Sequence, residues 1–321
     1  MKYAFIRAEL TAYPLSVVCR VLGVTQSGYH AWGGRPPSLR ERERDHLRRG
    51  IRSVFEAHRG RYGAPRIYRT LCAQHGYSGS LNRIQGLMRA MNLCAKAGRR
   101  YKVTTDSEHA LPVAPNLLAQ DFSCDASPGS ASHAKAPDQV WLSDITYLWT
   151  GEGWLYVCCV LDLFTRRIVG WSMASHMTSQ LVLAALQMAY AKRRSQCGLI
   201  FHSDRGSQYA SLIVRAWLSL HGMRQSMSGT GNCYDNAPME SFWHSMKVEE
   251  THGQNFATRD EAKHSVFAYI EGWYNTTRMH SSLGYKSPAQ FERDCIAKSN
   301  AVNDEPRNQN SYTAQLNKRA A

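Results

Sequence analysis

The sequence predicts an α/β protein in two parts: a basic helical N-terminal third, then a domain built on a mixed five-stranded sheet with helices. Three observations carry that reading. Apolar runs rich in β-branched and aromatic residues are concentrated from Val140 onward. After the first three of them, segments of helical period alternate with short apolar runs. Charge also splits along the 321 residues: positions 1–105 hold 20 Lys/Arg against 5 Asp/Glu, and the remainder 19 against 20.

Taken in order, Tyr13–Trp32 reads as helix, Gly-containing turn and helix, with Val17, Val18, Val21 and Leu22 as an apolar stripe. Leu39–Arg52 mixes Arg with Glu as a solvated helix does. A second helical pair follows. Pro65 opens PRIYRTLCAQH, Gly76–Gly79 turns the chain, and Ser80 is an N-cap for a helix with Ile84, Leu87, Met88 and Met91 inward. Arg83, Gln85 and Arg89 then point outward. This is the pattern of a helix-turn-helix, whose second helix suits a major groove. Periodicity lapses from Tyr101 to Gln139, where a Ser/Ala/Pro-rich stretch reads as a flexible linker or insertion.

Three strands are expected at VWLSDITYLW, WLYVCCVLDLF and RRIVGWSMA, joined by hairpins at Gly151–Gly153 and Asp162–Arg166. Thr178–Arg194 is a helix, LIFH a buried strand, Ser207–His221 a helix and Met223–Ser228 a strand. A last helix starts near Asn236 and Pro238. That is the element order of an RNase H-like domain. The expected division is 1–38 N-terminal helices, 39–102 a basic DNA-binding domain, 103–137 linker, 138–252 catalytic core, 253–297 a helical extension and 298–321 a disordered tail.

Composition excludes several classes. The net charge of +14 resides in the first third and points to a polyanion partner. No apolar stretch is long enough to span a bilayer, and the N-terminus lacks a secretory pattern, so a cytoplasmic, nucleoid-associated protein is expected. The nine cysteines form no CxxC pair and read as free thiols. Cys72 and His75 share a helix face without further zinc ligands nearby.

Three carboxylates stand out: Asp144 within the first strand, Asp204 just after the fourth, and Glu240 on the last helix. Each alone has an ordinary explanation, as a strand residue, a helix cap and a first-turn carboxylate. Together they suggest a divalent-metal site performing phosphoryl transfer, because carboxylates converging on one point repel unless a cation lies between them. Lys247, seven positions after Glu240, projects from nearly the same helix face, and His244 is a lesser candidate for that surface. Asp162 and Asp235 read better as a hairpin turn and a loop or cap.

The segments WLSDITYLWTGEGWLYVCCVLDLFTRRIVGWSM, IFHSDRGSQYAS, MSGTGNCYDNAPMESFWHSMKVE and YNTTRMHSSLGYKSPAQF resemble transposases of bacterial insertion sequences in the DDE superfamily. They are most similar to the downstream-frame product of two-frame elements, whose core is integrase-like. YGAPRIYRTL matches the family's helix-turn-helix segment. The resemblance implies strand cleavage and strand transfer at element ends. It makes Asp144, Asp204 and Glu240 the metal ligands and Lys247 a contact to the DNA end. Two Mg²⁺ ions are expected, with Mn²⁺ as a substitute. Further DNA contacts are expected from Arg66, Arg69, Arg83 and Arg89. The implied partners are double-stranded DNA at element ends and target, other copies of the chain, and an upstream-frame product fused to it or assisting it. Two alternatives are a DNA-binding regulator with an inactive core and a structure-specific nuclease of the same fold.

Overall fold

The structure, a computed structural model, describes residues 2–36, 38–96, 111–125, 127, 130–193, 197–229 and 233–304. The chain forms two units, Met1–Ala95 and Lys96–Ala321.

The first unit is helical: α1 (Lys2–Glu9), α2 (Leu15–Leu22), α3 (Gln26–Gly33), α4 (Leu39–Ala57), α5 (Ala64–His75) and α6 (Leu81–Ala90). Ile6, Val18 and Cys19 make a small core for the first three. Val17 and Val21, expected in the α2 stripe, are exposed, because a stripe one helix wide can close only against α1 and α3. Ser38 and Glu41 form a reciprocal capping box that starts α4. Leu47, Ile51 and Val54 of α4 are buried, as are Ile67 and Leu71 of α5 and Ile84, Leu87 and Met88 of α6. Gly76 ends α5 in the left-handed region, at φ 62°, which glycine adopts without steric cost. The Ser80 hydroxyl caps α6 by accepting from Arg83 N at 3.3 Å.

The second unit carries one mixed sheet. Its strands are β1 (Val140–Thr150), β2 (Gly153–Asp162), β3 (Ile168–Ala174), β4 (Ile200–Ser203) and β5 (Arg224–Met227), in the order β3-β2-β1-β4-β5. The first three pair antiparallel; β4 and β5 join parallel to β1 and to each other. α7 (Ser179–Arg193) crosses from β3 to β4, and Gly170 lets it lie close, since a Cβ there would stand 2.2 Å from the Ala185 carbonyl oxygen. Trp141, Val160, Val169, Leu186, Phe201 and Val214 belong to the core on this side.

The expected helix Ser207–His221 is two helices, α8 (Ser207–Ala210) and α9 (Leu212–Leu220), because Ser211 is extended at φ −61°, ψ 148°. α10 (Ala237–Met246) runs into a π-helical turn, Lys247–Thr251, and α11 (Arg259–Phe267) into another, Ala268–Tyr274. α12 (Pro288–Asp304) closes the described chain.

Described parts of the stretch read as a flexible linker or insertion, and of the tail, take part in the fold. In the stretch read as a linker, Leu118 and Ala134 are fully buried, Leu117 N donates to Ser226 Oγ at 2.9 Å, and Asn116 and Gln120 donate to the Asp235 carboxylate. Polar side chains reaching distant partners hold it on the sheet. Residues 97–110 lie outside the described residues. The tail is helical through Asp304; Ser287 caps α12 at Gln290 N, and Glu292 pairs with Arg167 and Arg193. The expectation for residues 305–321 lies outside the described residues.

Candidate active site

The site begins where two strands part. The parallel ladder of β1 and β4 ends at the pair Ser143↔Ser203, so the next residues are Asp144, still within β1, and Asp204, just past the end of β4. The backbone register alone therefore brings two carboxylates side by side. Asn236, immediately before α10, donates its side-chain amide to Ser143 O at 3.1 Å. That bond ties the start of the helix bearing Glu240 to the strand bearing Asp144.

Each carboxylate has its own environment. Asp144 is half-buried; its Oδ1 accepts from Ile145 N at 2.8 Å and its Oδ2 from the Trp243 indole at 3.1 Å. Burial first, then the Asp204 charge and to a smaller degree Glu240, push its pKa up to about 8. Asp204 Oδ1 accepts from Gly206 N at 3.0 Å. Gly206 is confined, because a Cβ there would meet Gln208 Oε1 at 2.9 Å and Asp204 Oδ1 at 3.1 Å. Glu240 lies in the first turn of α10, exposed, with its pKa raised by desolvation.

Lys247 follows two turns later, its Nζ 5.7 Å from the Tyr147 ring centre. Burial lowers its pKa and the nearby Asp144 opposes that shift. The structure thus brings Asp144, Asp204, Glu240 and Lys247 into one electrostatic neighbourhood. Among the described residues, no three His, Cys, Asp or Glu side chains are drawn tightly enough together to close a cation cage. Like charges repel, and the Glu240 side chain extends to solvent. The donor set itself is all hard carboxylate oxygen, and the raised Asp144 marks a point where added positive charge is favourable, so the residues suit a hard divalent cation.

His244 is exposed on α10. In the N-terminal unit Arg83, Arg89 and Arg69 are exposed, Arg69 beside the Tyr68 ring at 5.9 Å. Arg66 is half-buried over Tyr62. Asp162 has the hairpin-turn role expected of it, whereas Asp235, expected as a loop or cap residue, also accepts from residues more than a hundred positions earlier. Asp162 is buried and accepts from Thr165, while Asp235 accepts from Asn116, Gln120 and Gly229 N.

Trp243, Asn236 and Tyr147 were not anticipated as neighbours of the carboxylates. Trp243 had a legible signal, standing one helical turn after Glu240 and so on the same face. Tyr209, whose hydroxyl lies 3.0 Å from Ser143 Oγ beneath Asp144, gave none.

Residues 134–233 and 240–295 each match the integrase core domain family, and residues 41–101 match the HTH-like domain family. Over 299 residues, 92% of this chain and 100% of the relative, the sequence is 43% identical to transposase InsF for insertion sequence IS3A of Escherichia coli (strain K12). The chain belongs to the InsF transposase family. This transposase is also 42% identical over 274 residues to the insertion element IS600 uncharacterized 31 kDa protein of Shigella sonnei, covering 85% of this chain and 97% of that one. Among solved structures, a simian T-cell lymphotropic virus intasome in complex with PP2A regulatory subunit B56 gamma aligns at TM-score 0.42 and 14% identity, covering 71% of this chain and 73% of that one. The HTLV-2 integrase catalytic core domain in complex with magnesium aligns at TM-score 0.38 and 13% identity, covering 49% and 97%.

Proposed function

We propose that the transposase cleaves and joins DNA strands with Asp144, Asp204 and Glu240 as its metal-holding carboxylates and Lys247 as its contact to the DNA end. The observation that carries this reading is the ladder end at Ser143↔Ser203, which delivers Asp144 and Asp204 together from two strands. Mg²⁺ is the proposed ion, two per site, with Mn²⁺ able to replace it. When bound, such ions supply charge stabilisation to the oxygens of an in-line phosphoryl transfer.

The chain's own contribution is placement. The register of β1 and β4 fixes two carboxylates, and the Asn236 bond to Ser143 brings the α10 carboxylate toward them. Trp243 orients Asp144 by donating to Oδ2, leaving its remaining lone pairs for a cation. Lys247 offers a cation to a backbone phosphate beside the reacting one. No protein nucleophile is needed: water attacks in cleavage, and a DNA 3′-hydroxyl attacks in joining.

The basic N-terminal unit binds element ends, with residues 39–102 as its DNA-binding domain and Arg83, Arg89, Arg66 and Arg69 as phosphate or groove contacts. Residues 138–252 form the catalytic core and 253–297 its extension. The assembly on DNA is a homo-oligomer, aided by an upstream-frame product, at the bacterial nucleoid. No described helix is long and apolar enough to cross a membrane.

The test is Asp204→Asn, assayed on element-end DNA in Mg²⁺. Strand cleavage is expected to disappear while DNA binding persists. Cleavage at near-parental rate by that variant overturns the assignment.

A further inference from the structure

The hairpin joining β1 and β2 carries two large indoles in solvent. Trp149 is 62% exposed and Trp154 42%. They are cross-strand partners in the β1–β2 register, with ring centres 4.7 Å apart and planes at 75°. Trp154 in turn meets Tyr147 edge-on at 4.9 Å, and the Lys247 ammonium lies 5.7 Å from the Tyr147 ring centre. One unbroken track thus runs from the candidate DNA-end lysine through three aromatic rings to the hairpin tip.

A cross-strand Trp pair can serve the hairpin alone, and single exposed apolar residues are ordinary. Two features set this pair apart. The first is that the hairpin is already held by other bonds. Gly151 N donates to Phe256 O at 2.9 Å, Arg259 Nε to Trp154 O at 3.0 Å, and Arg259 N to Glu152 Oε2 at 2.9 Å. The tip therefore presents its rings on a fixed support. The second is that the track is continuous with the lysine of the catalytic neighbourhood, and Arg259 adds positive charge alongside.

We infer that Trp149 and Trp154 form a stacking platform for unpaired nucleobases of the DNA strand whose phosphate Lys247 holds. Within intact duplex the faces of a base are covered by its neighbours, so away from a terminal base pair an aromatic side chain can take only a base that has left the stack. Aromatic rings beside a cationic groove are the general means of holding single strands without reading their sequence. The inference rests on the placement of DNA at the Asp144, Asp204 and Glu240 centre, and it adds that the bound strand is locally unpaired there.

The experiment is done on the full chain carrying Asp204→Asn, so that its result is independent of cleavage. Binding of a blunt element-end duplex is compared with the same duplex bearing a short single-stranded extension. The extension is expected to tighten binding on the order of ten-fold. Trp149→Ala with Trp154→Ala should erase that gain, and Trp149→Phe with Trp154→Phe should keep most of it. In the chain with both tryptophans intact, 5-iododeoxyuridine in the extension should photocrosslink to peptides containing Trp149 or Trp154. The inference is overturned if the alanine pair keeps the full gain, or if crosslinks form elsewhere while binding is retained. It is equally overturned if the alanine pair lowers self-association in sedimentation and leaves the DNA gain untouched, which would make the platform a contact between copies. If binding tightens as expected while the metal assignment fails its own test, the platform stands and the catalytic reading falls.

Discussion

Arg278 donates its Nε–H to both carboxylate oxygens of Glu249, at 2.8 and 2.9 Å, within a pair almost wholly removed from solvent. Tyr269 and Trp273 also donate to the carboxylate, at 3.0 and 3.1 Å, and Arg278 Nη2 reaches Ser245 Oγ at 2.8 Å. Glu249 sits inside the π-helical turn that begins with Lys247. The pair therefore pins the segment that aims the lysine.

Removing one partner of such a pair strands the other's charge. Arg278→Ala should destabilise the protein by about 3–5 kcal/mol. Chemical denaturation checks this, and a loss below about 1 kcal/mol would show the pair to be incidental.

Asp144 provides a dependence on pH. Its carboxyl ionises near 8 in the folded chain against an ordinary 3.8, so between those values the folded state holds a proton the unfolded state has released. Stability contributed by this group is thus lost as pH rises from about 4 to about 8. In chelator, Asp144→Asn should have a higher melting temperature than the parent, by a margin that widens across this window. Added Mg²⁺ should raise the parent's melting temperature at pH 8 and leave the variant's unchanged. Parallel melting curves against pH would contradict the raised carboxyl.

Gly206→Ala tests the support of Asp204. Its backbone, at φ −56°, accepts any residue, so the fold should persist. The added methyl meets the Asp204 carboxylate and the Gln208 side chain within about 3.1 Å. Cleavage should fall on the order of ten-fold through misplacement of the carboxylate. Unchanged circular dichroism alongside a reduced rate is the expected pairing of results.

Binding by the N-terminal unit should weaken steeply with salt. Each phosphate contact contributes about −0.9 to the slope of log K against log salt. Arg83→Ala combined with Arg89→Ala should flatten that slope by about 2 if both arginines meet phosphates. An identical slope in the double variant would remove them from the interface.

The parts legible in the sequence were those set locally. Apolar runs gave five strands, Gly76 and Ser80 bounded the turn between α5 and α6, and the positions of Asp144 within a strand, Asp204 just after one and Glu240 in a first helical turn were readable from pattern alone. What stayed hidden depends on chain folding back on itself. Asp235 accepts from Asn116 and Gln120, more than a hundred positions earlier, and this anchors a stretch that composition made look loose. Glu249 and Arg278 are 29 positions apart, and neither carries a pattern that announces the other. The break at Ser211 was likewise invisible, because an extended serine between two helices leaves the apolar period nearly intact.

The ladder that stops at Ser143↔Ser203 has a consequence for how such a chain can diverge. The spacing of Asp144 and Asp204 is held by interstrand hydrogen bonds and does not depend on how much polypeptide connects the two strands. Lengthening or trimming the connection through α7 should leave the centre intact. Dropping a single residue from 140–143 or from 200–203 would shift one carboxylate and turn its side chain to the opposite face of the sheet. Drift in chain length is thus tolerated in the loops on either side of α7 and forbidden in the four residues that precede each aspartate.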